Sequence, residues 1–319
     1  MLESMSESPP GVAPVRVRVV DVPEDDAGQR IDNFLLKRLR GVPRSRIYRI
    51  IRRGEVRVNG GRIQASHRLA AGDKVRIPPV RISPTSEVHV PAALARQLQD
   101  AVIHEDDRLI VIDKPAGLAV HAGSGLSFGV IEVMRKLKPA CSSLELVHRL
   151  DRDTSGCLMI SKVRDELRGL HNLLREGHIE KRYLALLAGR LKEDRVVCEA
   201  PLRAVRRAGL RHVEVDPDGR HTRTEFIRLQ QYRSATLVEV LLATGRTHQI
   251  RVHAAHLGVP VAGDDRYGAR AANKRYAAKG LRRLFLHAHA LRFVRPSNGD
   301  DFHVSAPLDD SLRDFLDRL

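Results

Sequence analysis

Between Arg30 and Arg40 the apolar residues Ile31, Phe34, Leu35 and Leu39 recur at helical spacing and leave Lys37, Arg38 and Arg40 toward solvent. That pattern predicts a short amphipathic helix. A second helix is predicted after Gly41 and Pro43. In RSRIYRIIRRG the residues Ile47, Ile50 and Ile51 fall on one side, Arg46, Arg49 and Arg53 line another, and Gly54 is placed to end it. EVRVNGGRI then alternates apolar and polar residues around Asn59, Gly60 and Gly61, as a tight hairpin does, and AGDKVRIP supplies another strand. Two helices and a small sheet make one compact module over residues 28–81. Residues 1–27 read as a disordered tail. PPVRISPTSEVHVPAA has no sustained period and predicts a linker, placed at residues 82–96.

From residue 97 to 319 the pattern predicts a larger domain. RLIVIDKPAGL reads as a short buried strand running into Lys114, Pro115 and Gly117, and KRYLALLAG, LVEVLLATG and RLFLHAHALRF read as further strands. Helices fit FGVIEVMRKLK, VRDELRGLHNLLREG and THQIRVHAAHLG. No repeat period appears, and strands and helices mix without regular βαβ alternation. The fold class is therefore α+β rather than a doubly wound parallel sheet.

Charge changes the picture of what this fold meets. Lys and Arg total 55 against 39 Asp and Glu, a formal net charge of +16, which favours a polyanionic partner and makes nucleic acid the leading one. A membrane surface would also attract that charge, but no segment approaches the roughly 20 apolar residues of a spanning helix. MLESMSESPPGVAP lacks a basic start followed by an apolar run, and Glu3 and Glu7 argue against a transit peptide, so a cytoplasmic protein is expected. Cys141, Cys157 and Cys198 form no CxxC pair and read as buried reduced thiols. Arg44, Arg46, Arg49, Arg52 and Arg53 meet no acid until Glu55, which suits phosphate neutralisation better than an ordinary solvated helix face.

VHRLDRDTSG, residues 147–156, sets Asp151 and Asp153 just before the apolar run CLMI. Asp153 with Thr154 would serve as a turn cap, and Asp151 as an ion-pair partner of Arg149 or Arg152. The two carboxylates of a retaining glycosidase straddle a sugar, and these two are too close in sequence unless the turn splays them. A kinase-like reading of His148, Arg149 and Asp151 fails because neither a glycine-rich loop nor a DFG is present. His148, His248 and His253 lack the flanking carboxylates of a metal site and are taken as structural or RNA-facing. The GSG of residues 123–125 is too short to cradle phosphate.

VHRLDRDTSG nevertheless closely resembles the HRLDxxTSG signature of the RluA-type pseudouridine synthases, and GRTHQIRVHAAHLGVPVAGDDRYG, residues 245–268, resembles that family's second long motif. KPAGLAVH, KRYLALLAG and RLFLHAHAL match lesser blocks in the same order. The N-terminal module resembles an S4 domain, a small RNA-binding unit. Together they look most like the RluC branch, whose members modify uridines of large-subunit ribosomal RNA.

The resemblance implies a mixed, largely antiparallel sheet with a central cleft, preceded by the S4-like module. It places Asp151 on the catalytic aspartate, which attacks or deprotonates the ribose while the uracil N1 to C1′ bond breaks and the base rejoins through C5. It places Arg251 on the basic residue that pairs with this aspartate, Tyr183 on a tyrosine lying against the uracil ring, and Arg149 on a residue contacting RNA where the base leaves the stack. Arg44, Arg46, Arg49 and Arg53 are the expected RNA contacts of the first module. An isomerisation needs no cofactor and no metal, and a monomer is expected. GRHTRTEF departs from the family's usual GKxAxT at Arg220 and Thr222, after an unusually basic RAVRRAGLRH, and KRYAAKGLRR reads as a further basic loop. The runner-up readings are an RNA-binding assembly factor without catalysis and a synthase acting on transfer RNA.

Overall fold

The computed structural model describes residues 17–39, 42, 44–80, 90–122, 128–141, 143–207 and 210–319. The chain divides into two units, Met1–His89 and Val90–Leu319. The first contains β1 (Arg18–Asp21), α1 (Ile31–Arg38), α2 (Arg44–Arg52), β2 (Arg57–Val58), β3 (Gly61–Arg62) and β4 (Lys74–Ile77). Its sheet runs β1-β4-β2-β3, antiparallel throughout. Asn59 and Gly60 both take positive φ, 49° and 79°, as a two-residue hairpin turn matched to strand twist demands. Phe34 and Leu35 of α1 and Ile47, Ile50 and Ile51 of α2 bury against Val56 and Val75. Asp32 lies buried among them. It accepts from Arg30 Nη2 at 2.7 Å, Tyr48 Oη at 2.8 Å and the Asn33 N–H at 2.9 Å. Burial works against its charge, but those donors outweigh it and hold the carboxyl below the usual range.

The expected tail over residues 1–27 is too long. Arg18–Asp21 form a strand paired residue by residue with β4, from Arg18 opposite Ile77 to Asp21 opposite Lys74. Val19 is 63% exposed, so the backbone ladder rather than apolar burial places this strand, and a hydropathy pattern does not register it.

The second unit contains α3 (Ala92–Asp100), β5 (Val102–Glu105), β6 (Leu109–Lys114), α4 (Val130–Leu137), β7 (Glu145–Leu146), β8 (Ser155–Ser161), α5 (Arg164–Glu176) and β9 (Glu180–Leu187). It continues with β10 (Arg195–Cys198), β11 (Leu202–Arg207), β12 (Leu210–Val215), β13 (Thr224–Gln231), β14 (Thr236–Leu242) and α6 (Gln249–His256). It closes with α7 (Arg270–Ala278), β15 (Leu286–Val294), β16 (Asp301–Ser305) and α8 (Asp310–Asp317). The main sheet runs β10-β13-β14-β9-β15-β8-β6-β5, with β16 on β15 and β7 on β8, while β11 and β12 form a separate hairpin. Every pairing is antiparallel except β15 with β8, so the α+β, largely antiparallel expectation holds.

Strands β6 and β8 are covered on both faces. Ile110, Ile112, Leu158 and Ile160 meet Leu98 of α3 and Val130 and Met134 of α4 on one side, whereas Leu109, Val111, Cys157 and Met159 meet Leu170 of α5 on the other. Hence CLMI is apolar without alternation. Each such aliphatic chain contributes ~1.5–3 kcal/mol by leaving water. Where β8 runs beside β15, Gly156 faces Ala288 with φ 105°, and a Cβ there would lie 2.3 Å from the Ala288 carbonyl oxygen. Only glycine fits this contact.

Three further expectations need correction. The end of the predicted linker is helical: Pro91 precedes α3, whose Leu98 is fully buried, and residues 81–89 lie outside the described residues. The first half of KRYAAKGLRR, residues 274–278, is the end of a helix, α7, in which Ala272 and Tyr276, four apart, bury while the cations between them mask the period; only its second half is loop. Cys157 and Cys198 are buried, but Cys141 is only half-buried. The GSG of residues 123–125 lies outside the described residues. No described helix is long and apolar enough to cross a membrane.

Candidate active site

Asp151 lies in the loop joining β7 to β8, and backbone carbonyls gathered by one lysine shape that loop. Lys114, at the end of β6, is fully buried, and its Nζ donates to Pro115 O at 2.8 Å, Leu118 O at 2.9 Å and Arg152 O at 3.0 Å. Burial, with Arg283 second, pulls Lys114 down to about 7, yet three carbonyl acceptors use all three hydrogens of an ammonium. The Gly117 N–H also donates to Arg152 O at 2.9 Å, which ties the KPAG turn to the Asp151 loop. At the far end Ser155 Oγ accepts from Arg283 Nη2 at 2.6 Å and meets His287 Nδ1 at 2.9 Å. Asp153 pairs with Arg152 at the surface.

Arg251 comes from α6, one hundred residues further on. Its Nη1 lies 3.4 Å from Asp151 Oδ2, while Nε and Nη2 donate to Asp264 at 2.7 and 2.8 Å. The Asp151 side chain keeps 16% of its surface exposed, against 9% for Arg251 and none for Asp264. Burial opposes the charge of both partners of the inner pair, but their mutual bonds win. The guanidinium stays above its ordinary value and the Asp264 carboxyl below its own. The N–H groups of Arg266 and Tyr267 add bonds of 2.9 and 3.0 Å to Asp264 Oδ1.

Around this pair, His248 Nε2 sits 3.7 Å from Asp151 Oδ2, and its Nδ1 is 2.8 Å from the Tyr267 hydroxyl. The Tyr267 ring lies under the Arg251 guanidinium, 5.2 Å from ring centroid to carbon. Tyr183, on β9, is half-buried between two apolar clusters. Burial, followed by the Asp151 charge, pushes its phenol up, and its hydroxyl has no hydrogen-bond partner among the described residues. A cavity of about 280 Å³ lined by Arg182, Glu239, Arg292 and His303 lies on the other face of β9 from Tyr183 and takes no part in the site.

The structure thus brings Arg251 to Asp151, and Tyr183 lies near enough for the Asp151 charge to act on its phenol. Arg149 is exposed and makes no ion pair with Asp151 among the described residues. Arg44 opens α2, and Arg46, Arg49 and Arg53 are exposed on or just beyond that helix, in the first unit. His148 accepts the Met159 N–H at 3.1 Å, and His253 is buried between Thr224 and Thr222, so both rings serve the fold. Thr222 is fully buried, which removes it from any RNA contact. Among the described residues no group of three or more His, Cys, Asp or Glu is placed to hold a metal.

A family model described as RNA pseudouridylate synthase matches residues 108–256, and one described as S4 domain matches residues 29–75. Ribosomal large subunit pseudouridine synthase C of Yersinia pestis is 52% identical over 303 residues, covering 94% of this chain and 95% of that protein. Its counterpart in Escherichia coli strain K12 is 49% identical over 308 residues, covering 95% and 97%. The chain belongs to the RNA pseudouridylate synthase family. Among solved structures, human RNA Pseudouridylate Synthase Domain Containing 4 aligns with a TM-score of 0.58 and 25% identity over 71% of this chain and 95% of that one.

The synthase match takes in Asp151, Tyr183 and Arg251 and stops short of Asp264 and Tyr267. Those two, with Lys114 and His248, are the site residues that motif reading missed. GDDRYG offered the signal for Asp264 and Tyr267, since an acid and an aromatic inside a long motif have a partner somewhere. Nothing in one dimension says that the partner is Arg251.

Proposed function

We propose that this synthase isomerises specific uridines to pseudouridine in large-subunit ribosomal RNA, with Asp151 as the catalytic carboxylate. The observation that carries the assignment is the contact of Asp151 with Arg251, a guanidinium already oriented by Asp264. Such an arrangement favours a charged oxygen in a partly desolvated place, as either attack on the ribose or removal of its 2′ proton requires. The proton that leaves C5 is matched by one that ends on N1, so the reaction balances without redox change or an added co-reactant. Tyr183, half-buried beside Asp151, supplies an aromatic face for the extruded uracil and a free hydroxyl near it. Arg149, exposed two residues from Asp151, meets RNA phosphate beside the flipped nucleotide.

Arg44, Arg46, Arg49 and Arg53 of the S4-like module carry the remaining affinity, and ribosomal RNA as substrate implies action in the cytoplasm. Two relatives are named for the ribosomal large subunit, which favours its RNA as the substrate here. Pseudouridine mapping in ribosomal RNA from cells with and without the protein tests the substrate, and Asp151→Asn tests the site. The expected result is loss of specific pseudouridines in both cases, with RNA affinity of the variant kept. Turnover by Asp151→Asn, or loss of pseudouridine only from transfer RNA, overturns the respective half of the proposal.

A further inference from the structure

His248 caps the N-terminus of α6 with φ 56° and ψ 18°, a left-handed conformation uncommon for residues other than glycine, in which asparagine, aspartate and histidine are the most frequent exceptions. It stands three residues before Arg251, at the N-cap of the helix that carries the guanidinium. Both point at one atom, Asp151 Oδ2, from 3.7 and 3.4 Å. Oδ1 accepts no hydrogen bond among the described residues.

The environment of Tyr267 decides which ring nitrogen carries the proton. Its hydroxyl oxygen accepts from the Val213 N–H at 3.1 Å and from the Arg266 side chain. With its oxygen engaged by two donors, the hydroxyl proton goes to the remaining neighbour, His248 Nδ1 at 2.8 Å. Nδ1 is therefore the acceptor, and the single proton of a neutral imidazole sits on Nε2, facing Asp151. Neutrality follows from the surroundings: burial acts first, and Arg251 and Arg266 add to it against Asp151 and Asp264, bringing His248 to about 4.

We propose that His248 is a positioning residue for the isomerisation: its Nε2–H, fixed by Tyr267, joins Arg251 on one oxygen of Asp151 and leaves the other oxygen for the ribose. The inference rests on Asp151 being the catalytic carboxylate. With Oδ2 approached from two directions, rotation of the carboxylate is restrained, and Oδ1, which has no partner among the described residues, is left for the ribose. The 3.7 Å separation closes to a hydrogen bond when substrate fills the site, as such contacts do in other enzymes. Val213 belongs to the β11–β12 hairpin, so this hairpin, rich in arginine, shares an anchor with the catalytic loop.

The test uses the full-length chain on a transcript of large-subunit ribosomal RNA, with kcat and KM measured for His248→Ala, His248→Gln, Tyr267→Phe, the His248→Ala/Tyr267→Phe double variant and Asp151→Asn. Loss of aim lowers kcat of His248→Ala roughly 10- to 100-fold while KM stays within about threefold. His248→Gln, whose amide reaches as far as Nε2, recovers most of that loss. Tyr267→Phe lowers kcat by a smaller factor and adds nothing once His248 is alanine. The proposal is overturned if His248→Ala keeps wild-type kcat, if the loss lies in KM, if glutamine performs no better than alanine, or if the two losses multiply. Should His248→Ala fail to fold, Tyr267→Phe decides alone: unchanged kcat overturns the proposal and a reduced kcat supports it. Turnover by Asp151→Asn would instead remove the underlying role of Asp151, while an inactive Asp151→Asn beside a fully active His248→Ala removes only the role of His248.

Discussion

Asp264 takes two hydrogen bonds from Arg251, at 2.7 and 2.8 Å, and this bidentate grip turns the third guanidinium nitrogen toward Asp151. The fork of an arginine is rigid, so holding two nitrogens fixes where the other points. Asp264 is fully buried, yet it sets the direction of the charge that faces Asp151.

Replacing Asp264 by asparagine keeps the shape and removes the charge. The Asp264→Asn variant should lose roughly 100-fold in kcat with RNA affinity retained, since Arg251 is then free to swing. Arg251→Lys should do no better, because an ammonium is a point charge without the fork. Steady-state kinetics beside an RNA-binding assay check both, and near-normal kcat for Asp264→Asn would show that the grip is only structural.

Gly156 lies five residues beyond Asp151, in the closest approach of β8 to β15. Gly156→Ala forces the backbone apart at a positive φ and should lower stability by roughly 2–4 kcal/mol. Denaturant unfolding measures this. An alanine variant as stable as the parent would mean that the two strands part without cost.

His287 is buried between Ser155 and the Ala306 carbonyl, and burial, the largest influence, brings it down to about 4. Its folded value lies below its unfolded one, so the unfolded chain binds the extra proton between about pH 6.5 and 4. The stability it contributes is fully present above pH 6.5 and is lost as pH falls toward 4, by roughly 3 kcal/mol in all. Unfolding free energies measured across that window should therefore decline toward acid, and the His287→Gln variant should show a shallower decline. Equal slopes would exclude His287 as the cause.

On the S4-like module, exposed Arg46, Arg49 and Arg53 meet phosphate if the proposed RNA contact holds. Changing all three to serine should weaken RNA binding and reduce the salt dependence of log K by about 2, at ~0.7 per contact to single-stranded RNA. Titrations at several salt concentrations give the slope. An unchanged slope would place these arginines away from the RNA.

Much of the fold was legible because burial writes itself into hydropathy. β6 and β8, covered on both faces, appear as unbroken apolar runs, and α2 separates Ile47, Ile50 and Ile51 from its arginines. The missed elements are those whose order rests on something else. β1 is held by backbone bonds to β4, and the two buried positions of α7 are hidden among cations. The site divides in the same way. Asp151, Tyr183 and Arg251 stand in recognisable motifs, but the contact of Arg251 with Asp151 crosses 100 residues. Lys114 was singled out only as the end of a strand, because its three acceptors are carbonyls, which leave no trace in residue identity.

β15 lies between β8 and β9 in the sheet, although it is synthesised well after both. Those earlier strands cannot zip together without blocking their later neighbour, so a growing chain must leave a slot open at the middle of its sheet. The sheet that carries the strands flanking Asp151 and Tyr183 is therefore completed only once residues 286–294 have been made. A nascent chain halted before that stretch would carry Asp151 and Arg251 without the scaffold that lets them meet.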